Sequence, residues 1–579
     1  MTHVQVRMLR RPISLPFQIL SALLVWVVMS VDGLAQSTVR PPDAGVLQQQ
    51  IERGRQSQVV PHTGLSGWSG LAQSPDVKDN TVVPVQGFQF QGNSLLSDEV
   101  LKQLLQDRTR QSLSFLQLQL VAEKVMQAYR DAGWMAYAYL PEQDVTSGVV
   151  TVRIIEAIMG ELVLRTDPEQ RIDAAHLQEI FRAHQRQGEA LRIQALDRAL
   201  LLVSDLPGVS IKGGLREWSA DSPARDVVVE AVSTPLYSGE ASMDNAGARS
   251  TGRERALTTL NLNSPMGRGD LATLTAVKSE GSTYLRADVS WPVGYKGWRL
   301  AIYDVHLSYR IVSPEFLASN SKGTSNTLGL SANYPVLRSP TRNLYANFQV
   351  ERKGFDNQSN GATESQYKST AVVASLLGNF NDAWGGSTSG SLSWVSGLLN
   401  LNGSPTQSRD AAGAQTAGRF DKLRYALSRH QSFSSGLTGY VGFNGQLASK
   451  NLDSSEKFIL GGESGVRAYP GSEGVGAQGQ LINLEMRWRA SDSSSLIGFF
   501  DWGHVTLLRD KTASTVLNAY ALKGSGLAWV ESLPGGVRLK FSWARRMGSN
   551  PNPSSTGTDQ DGSLITNRYW LSANVPFSL

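Results

Sequence analysis

Ile482-Asn483-Leu484-Glu485-Met486-Arg487-Trp488-Arg489 alternates apolar and polar residues without a break. A strand sends successive side chains to opposite faces. One face is therefore Ile482, Leu484, Met486 and Trp488, and the other Asn483, Glu485, Arg487 and Arg489. The same period of two recurs in Val537, Leu539, Phe541 and Trp543 against Arg538, Lys540, Ser542 and Ala544. In the last stretch Tyr569, Leu571, Ala573, Val575, Phe577 and Leu579 oppose Trp570, Ser572, Asn574 and Ser578.

From residue 234 onward helical periodicity is absent. A soluble sandwich also alternates, but here the apolar faces end in aromatics and the polar faces carry full charges. The sequence also stops inside a strand, which suits closure of a barrel. These features predict an outer-membrane β-barrel with a lipid-facing apolar band, aromatic girdles and a polar, water-filled lumen. At roughly 20 residues per strand and loop, residues 234–579 hold about 16 to 18 strands, and we take about 16. The 55 glycines fit many strands joined by tight turns.

Working back, residues 81–233 have a different rhythm. Val83, Val85, Phe88 and Phe90 predict a strand broken at Gly87. Ser97 opens a helix with Val100, Leu101, Leu104 and Leu105 on one face. Ser114 and Gln117 form a capping box for a helix carrying Leu118, Val121, Val125 and Tyr129 and ending at Gly133. Strands at 136–140 and 149–155 follow. The order then repeats: Leu162–Arg165, a helix with Leu177, Ile180 and Phe181, a helix with Ile193, Leu196, Leu200 and Val203, then strands at 209–215 and 227–232. Two tandem α+β units result, 81–157 and 158–233.

At the N-terminus, Arg7, Arg10 and Arg11 precede the apolar run Ile19–Met29, and Gly33-Leu34-Ala35 offers small residues for cleavage. This predicts a secretory signal peptide over 1–35. Asp43 is a candidate N-cap for a short helix within 36–56, with Val46, Leu47 and Ile51 on one face and the rest too polar for a core. Residues 57–80, rich in Ser, Gly, Gln and Pro, read as a linker.

The composition narrows the function. The 579 residues carry 55 basic and 50 acidic side chains, a net charge of +5, with no basic cluster to suggest nucleic acid as a partner. With no cysteine, there is no disulfide framework and no thiolate metal site. Seven histidines are scattered, and no Ser/His/Asp or metal-spaced cluster appears, so we expect neither enzyme activity, nor a metal, nor a cofactor. His504, near Asp501, reads as lumen decoration. No phosphate-binding loop is present.

Four stretches resemble the transporters of two-partner secretion, the haemolysin and filamentous-haemagglutinin (ShlB/FhaC/HecB) type. Leu140-Pro141-Glu142-Gln143-Asp144 with Gly148-Val149-Val150 is similar to the end of that family's first POTRA (polypeptide-transport-associated) domain. Asp244-Asn245-Ala246-Gly247 with Thr251-Gly252-Arg253 resembles its first barrel hairpin. Gly465-Val466-Arg467-Ala468-Tyr469-Pro470-Gly471 resembles the arginine motif of the sixth extracellular loop, with Ala468 where glycine is usual. Gly498-Phe499-Phe500-Asp501-Trp502-Gly503 resembles the strand motif that meets that loop.

The resemblance implies that 81–157 and 158–233 are periplasmic POTRA domains, that 36–56 is a plug helix in the lumen, and that Arg467 pairs with Asp501. Gating and secretion residues would then be Val466, Arg467, Tyr469, Gly471, Phe499, Asp501 and Gly503, with Val46, Leu47 and Ile51 on the plug. The family's acidic residue near Ala477 has no counterpart here. The implied function is type V secretion: recognising a large exoprotein by its N-terminal secretion domain and passing it through the barrel, with activation of the cargo also open. The implied partners are that exoprotein, outer-membrane lipid and the machinery that inserts the barrel, and the protein would act as a monomer. The other reading is an assembly factor for outer-membrane proteins of the same superfamily. Two modules and a plug helix fit it less well, because assembly factors usually carry a longer array.

Overall fold

The computed structural model describes residues 41–56, 82–216, 222–512 and 517–579. The expected signal peptide and the linker at 57–80 lie outside the described residues. Helix α1 (Ala44–Gln56) comes first, and Asp43 caps it by accepting from the Val46 amide at 3.0 Å.

Two α+β units follow. The predicted strand around Gly87 is in fact two strands with different partners. β1 (Val82–Val85) pairs antiparallel with β3 (Gln111–Ser114), and β2 (Gly87–Gln91) runs parallel to β5 (Val149–Glu156). Helix α2 (Asp98–Leu104) lies between β2 and β3 and buries Leu101, while Val100 points to solvent. Helix α3 (Phe115–Asp131) starts with the Ser114/Gln117 capping box and buries Leu118, Val121, Val125 and Tyr129. Gly133, at φ 85°, then lets the chain reverse into β4 (Ala136–Tyr139), antiparallel to β5.

Glu156, at the end of β5, holds this unit together. It accepts from the Ser94 and Leu95 amides at 2.7 Å each, from Tyr129 OH at 2.7 Å, and from Ser94 Oγ. Burial disfavours its charge, but these donors outweigh that and hold the carboxyl below its ordinary value of 4.5. A depressed carboxylate stabilises the fold above the unfolded-state pKa, and that contribution fades as pH falls through the folded one. Acidification below about 4.5 is therefore expected to loosen residues 83–157 in the wild type more steeply than in Glu156→Gln. Hydrogen exchange on the full-length protein, corrected for intrinsic pH dependence, reads this out. Equal slopes would contradict it.

The second unit comprises β6 (Ile158–Thr166), α4 (Ala174–Arg182), α5 (Ile193–Ser204), β7 (Val209–Leu215) and β8 (Ala224–Ser233), with sheet order β6-β8-β7. Leu177, Ile180, Phe181, Leu196, Leu200 and Val203 form its core with both outer strands.

The remaining chain forms a closed antiparallel barrel of 16 strands. They are β9 (Tyr237–Asp244), β10 to β19 over residues 255–448, and β22 to β26 over residues 478–578. The last strand, β26 (Asn567–Ser578), pairs with β9 and leaves no edge. Leu484, Met486, Trp488, Tyr569 and Leu571 are exposed on the outer wall, as a lipid-facing surface requires.

One end of the barrel has short turns and the other long loops. The second unit docks on the short-turn end. Asp205, after α5, accepts two hydrogen bonds from Arg338, from Nε at 2.8 Å and Nη2 at 2.7 Å, beside the turn after β14 (Lys322–Arg338). Arg198 also reaches the Pro335 carbonyl at 2.6 Å.

The lumen differs from the expectation of a uniformly polar interior. On β13 (Trp298–Arg310), Tyr303, Val305, Leu307 and Tyr309 all point inward and are buried. Ala44, Leu47 and Ile51 of α1 pack against this group. Leu47 and Ile51, two of the three residues expected on one face, thus lie in an apolar cluster inside the barrel. The helix's apolar stripe meets an apolar arc of the wall, and its polar residues find individual partners.

Candidate functional site

Between β19 (Leu437–Ala448) and β22 (Gln478–Arg489) runs a loop, residues 449–477, that turns into the barrel instead of outward. A two-residue ladder, β20 (Phe458–Ile459) with β21 (Val475–Gly476), closes its stem. Its tip is a packed turn. Val466 N donates to the Leu460 carbonyl at 2.9 Å and Tyr469 N to the Val466 carbonyl at 3.1 Å. Leu460, Val466, Ala468 and Tyr469 are buried.

Arg467 leaves this turn toward β23 (Ser494–Thr506). Alternation points Phe499, Asp501 and Gly503 into the lumen and Phe500 and Trp502 outward. By the same parity His504 faces outward, so it does not decorate the lumen. Arg467 Nε donates to Asp501 Oδ2 at 2.9 Å and Nη2 to Oδ1 at 2.7 Å, while the Arg467 amide reaches Oδ2 at 3.0 Å. Nη1 donates to Glu485 at 2.8 Å, and the guanidinium lies 3.5 Å above the Phe499 ring. Such a two-pronged pair is short and directional. Asp501 is wholly buried and also accepts from Asn483 at 2.7 Å, so its lone pairs are well used.

The other residues named from sequence serve this contact by shape. A methyl at Gly503 would collide with Leu460, and the Tyr469 ring carries the Arg546 guanidinium at 4.4 Å. Ala468, where the family motif has glycine, faces Gly524, and a Cβ there would lie 2.6 Å from the Ala468 methyl. The missing glycine of the loop thus stands opposite a glycine of the wall.

Three further residues were not assigned to the site from sequence. Asn483 and Glu485 lie on the polar face quoted first, and in register they stand opposite Asp501 and Phe499. Trp570 donates from Nε1 to the Arg467 carbonyl at 2.9 Å. Parity placed all three inside, but pairing register and strand closure brought them to Arg467. On the descending part of the loop, Glu473 is buried and accepts from the Gln560 amide at 3.0 Å. Burial pushes its carboxyl up to about 8, against the pull of that amide.

Helix α1 fills the lumen beside the loop. Gln48 bonds Thr327 at 3.0 Å and Ser325 at 2.9 Å on the wall, and the Ala44 amide reaches Asn357 at 3.0 Å. Gln50 donates to the Gly471 carbonyl at 3.0 Å. Leu47 and Ile51 are buried against the wall, and Val46 is buried on another side of the helix. Between α1, the loop tip and the β9–β26 seam remains a cavity of about 550 Å³, lined in part by Asp244, Arg255, Arg487 and Lys540. The barrel lumen thus holds two separate inserts, the helix and the loop, in contact with each other.

Residues 224–527 match the family model described as haemolysin secretion/activation protein ShlB/FhaC/HecB, and residues 83–157 match the ShlB-type POTRA domain. The chain is 24% identical over 549 residues to the Heme/hemopexin transporter protein HuxB of Haemophilus influenzae (strain 86-028NP), covering 92% of this chain and 95% of that protein. It is 23% identical to the Outer membrane transporter CdiB of Dickeya dadantii (strain 3937), over 78% of this chain and 82% of that one. The solved structure of CdiB from Escherichia coli superposes with a TM-score of 0.69 at 17% identity, covering 94% of this chain and all of that one. That likeness is one of fold.

Proposed function

This chain belongs to the haemolysin secretion/activation protein family ShlB/FhaC/HecB, and on that premise we propose that it secretes one large, mostly unfolded exoprotein through the outer membrane. Members of this family are outer-membrane transporters with POTRA domains in the periplasm. The two α+β units, on the short-turn end of the barrel, receive the N-terminal secretion domain of the cargo. Exposed strand edges there offer backbone pairing, which gives affinity with little demand on sequence. The cargo then enters the barrel, α1 and the loop 449–477 yield the lumen, and folding outside makes the transfer directional. The ladder closes within one chain, which supports action as a monomer.

The observation that carries this reading is the doubly filled lumen: a capped helix and an anchored loop, each held by specific contacts that can be given up without opening the strand ladder. A permanent pore has no use for either.

Comparing culture medium, cell surface and outer membrane of the native host with and without this gene tests the proposal. We expect one or two large exoproteins to vanish from the surface and medium while outer-membrane barrels stay at normal levels. A broad loss of barrels would replace secretion with assembly as the function.

A further inference from the structure

The ascending arm of the lumen loop carries a second anchor, far along the wall from Arg467. Glu456 is buried; its carboxylate accepts from Lys353 Nζ at 3.0 Å and forms an ion pair with Lys422 Nζ at 2.7 Å. Lys353 stands on β15 (Arg342–Ser359) and Lys422 on β18 (Gly418–Ser432). The Glu456 carbonyl accepts from Lys422 Nζ at 2.9 Å and from Gln446 Nε2 at 3.0 Å. Three hydrogen bonds and one ion pair thus fix one loop residue to three strands.

The same short segment is where helix α1 rests. Ser454 Oγ donates to Asp43 Oδ2 at 2.6 Å, Gln49 donates to the Lys457 carbonyl, and Arg53 donates to the carbonyls of Ile459 and, at 2.7 Å, Ser464. The contact is close enough that a Cβ at Gly45 would stand 2.8 Å from Ser455 Cβ. Most of the helix's polar contacts outside itself are to this loop, and fewer are to the wall.

We propose that Glu456 is a positioning residue for the plug: through Lys353 and Lys422 it locks the seat of helix α1, as a latch separate from the Arg467–Asp501 anchor. The physical reason is where charge is buried. Losing the Glu456 carboxylate leaves Lys422 without its ion-pair partner, while Lys353 keeps Glu351 at 2.7 Å. A buried cation without a partner draws in water or moves out, and the seat moves with it. The barrel ladder does not pass through Glu456 and stays closed.

This rests on α1 being the plug, and a thiol-labelling experiment separates the two ideas. The chain has no cysteine, so Ala44→Cys is a unique probe at a wholly buried position of the helix. Its maleimide labelling rate is measured on the full-length protein in outer membranes, in variants that run as heat-modifiable folded barrels. Glu456→Gln is expected to speed labelling at least about tenfold, the scale of a lost buried charge partner, and Glu456→Asp, which keeps the charge, to restore most of the protection. Lys422→Met removes the pair from the wall side and is expected to match Glu456→Gln. It decides the matter if the glutamine variant fails to assemble. Unchanged labelling in an assembled Glu456→Gln or Lys422→Met barrel overturns the latch. If deleting 41–56 leaves pore conductance unchanged, the plug reading fails instead, whatever the labelling shows.

Discussion

Arg467→Ala leaves the barrel assembled and cuts export of the cargo by about tenfold or more. The contact it removes is buried and nearly saturated: two side-chain hydrogen bonds to Asp501 and one to Glu485, leaving only the residue 467 amide on Asp501. Deleting one member of such a pair costs about 3 to 5 kcal/mol, mostly as a buried charge left without its partner. None of that energy belongs to the strand ladder, so the heat-modifiable mobility of the barrel should be unchanged. The loss falls on the loop, which gives up its fixed turn over Phe499. Asp501→Asn is expected to impair export in the same direction, and the double variant to be little worse than either single, because both changes break one contact. Immunoblots of secreted cargo at matched transporter levels measure this. Full export by Arg467→Ala would end the claim that this loop governs secretion.

Deleting residues 41–56 opens the pore. A helix with its side chains is a cylinder about 10 to 12 Å across, and α1 occupies that width of the lumen from Asn357 past Thr327. The deletion removes its contacts to the wall and to the loop but no strand pairing. We expect single-channel conductance in planar bilayers to rise several-fold and the host to become sensitive to bulky antibiotics, while export continues. A conductance equal to wild type would mean that the loop alone closes the barrel.

The apolar stripe of α1 shows where sequence reading stopped. Val46, Leu47 and Ile51 could be placed on a helix, and Asp43 at its cap, from spacing alone. That the helix would meet an apolar arc of the lumen could not be read. Tyr303, Val305, Leu307 and Tyr309 alternate cleanly with Asp304, His306, Ser308 and Arg310, so a period of two would turn this apolar face to lipid, and only the closed barrel shows it facing the lumen. Gly87 is a similar case. The break in the pattern was visible, but the different partners of β1 and β2 depend on residues far along the chain.

Local rules were enough wherever neighbours in the chain act on one another. Period-two alternation decided that residues 234–579 are strands with a lipid face and an inner face, and the capping box and Gly133 set the ends of α3. Parity put Asn483, Glu485, Asp501 and Trp570 inside the barrel. The motif around Arg467 pointed to Asp501 through family resemblance, and the bidentate geometry came from the tertiary structure. Register and closure decided the rest: Asn483 opposite Asp501, Trp570 over the Arg467 carbonyl, Lys353 and Lys422 converging on Glu456. Strand pairing depends on which hydrogen-bonding partners meet across the sheet. A shift of one residue exchanges the two faces while leaving each strand's own pattern intact. A single strand therefore specifies its faces, and only the closed barrel specifies which inward residues touch.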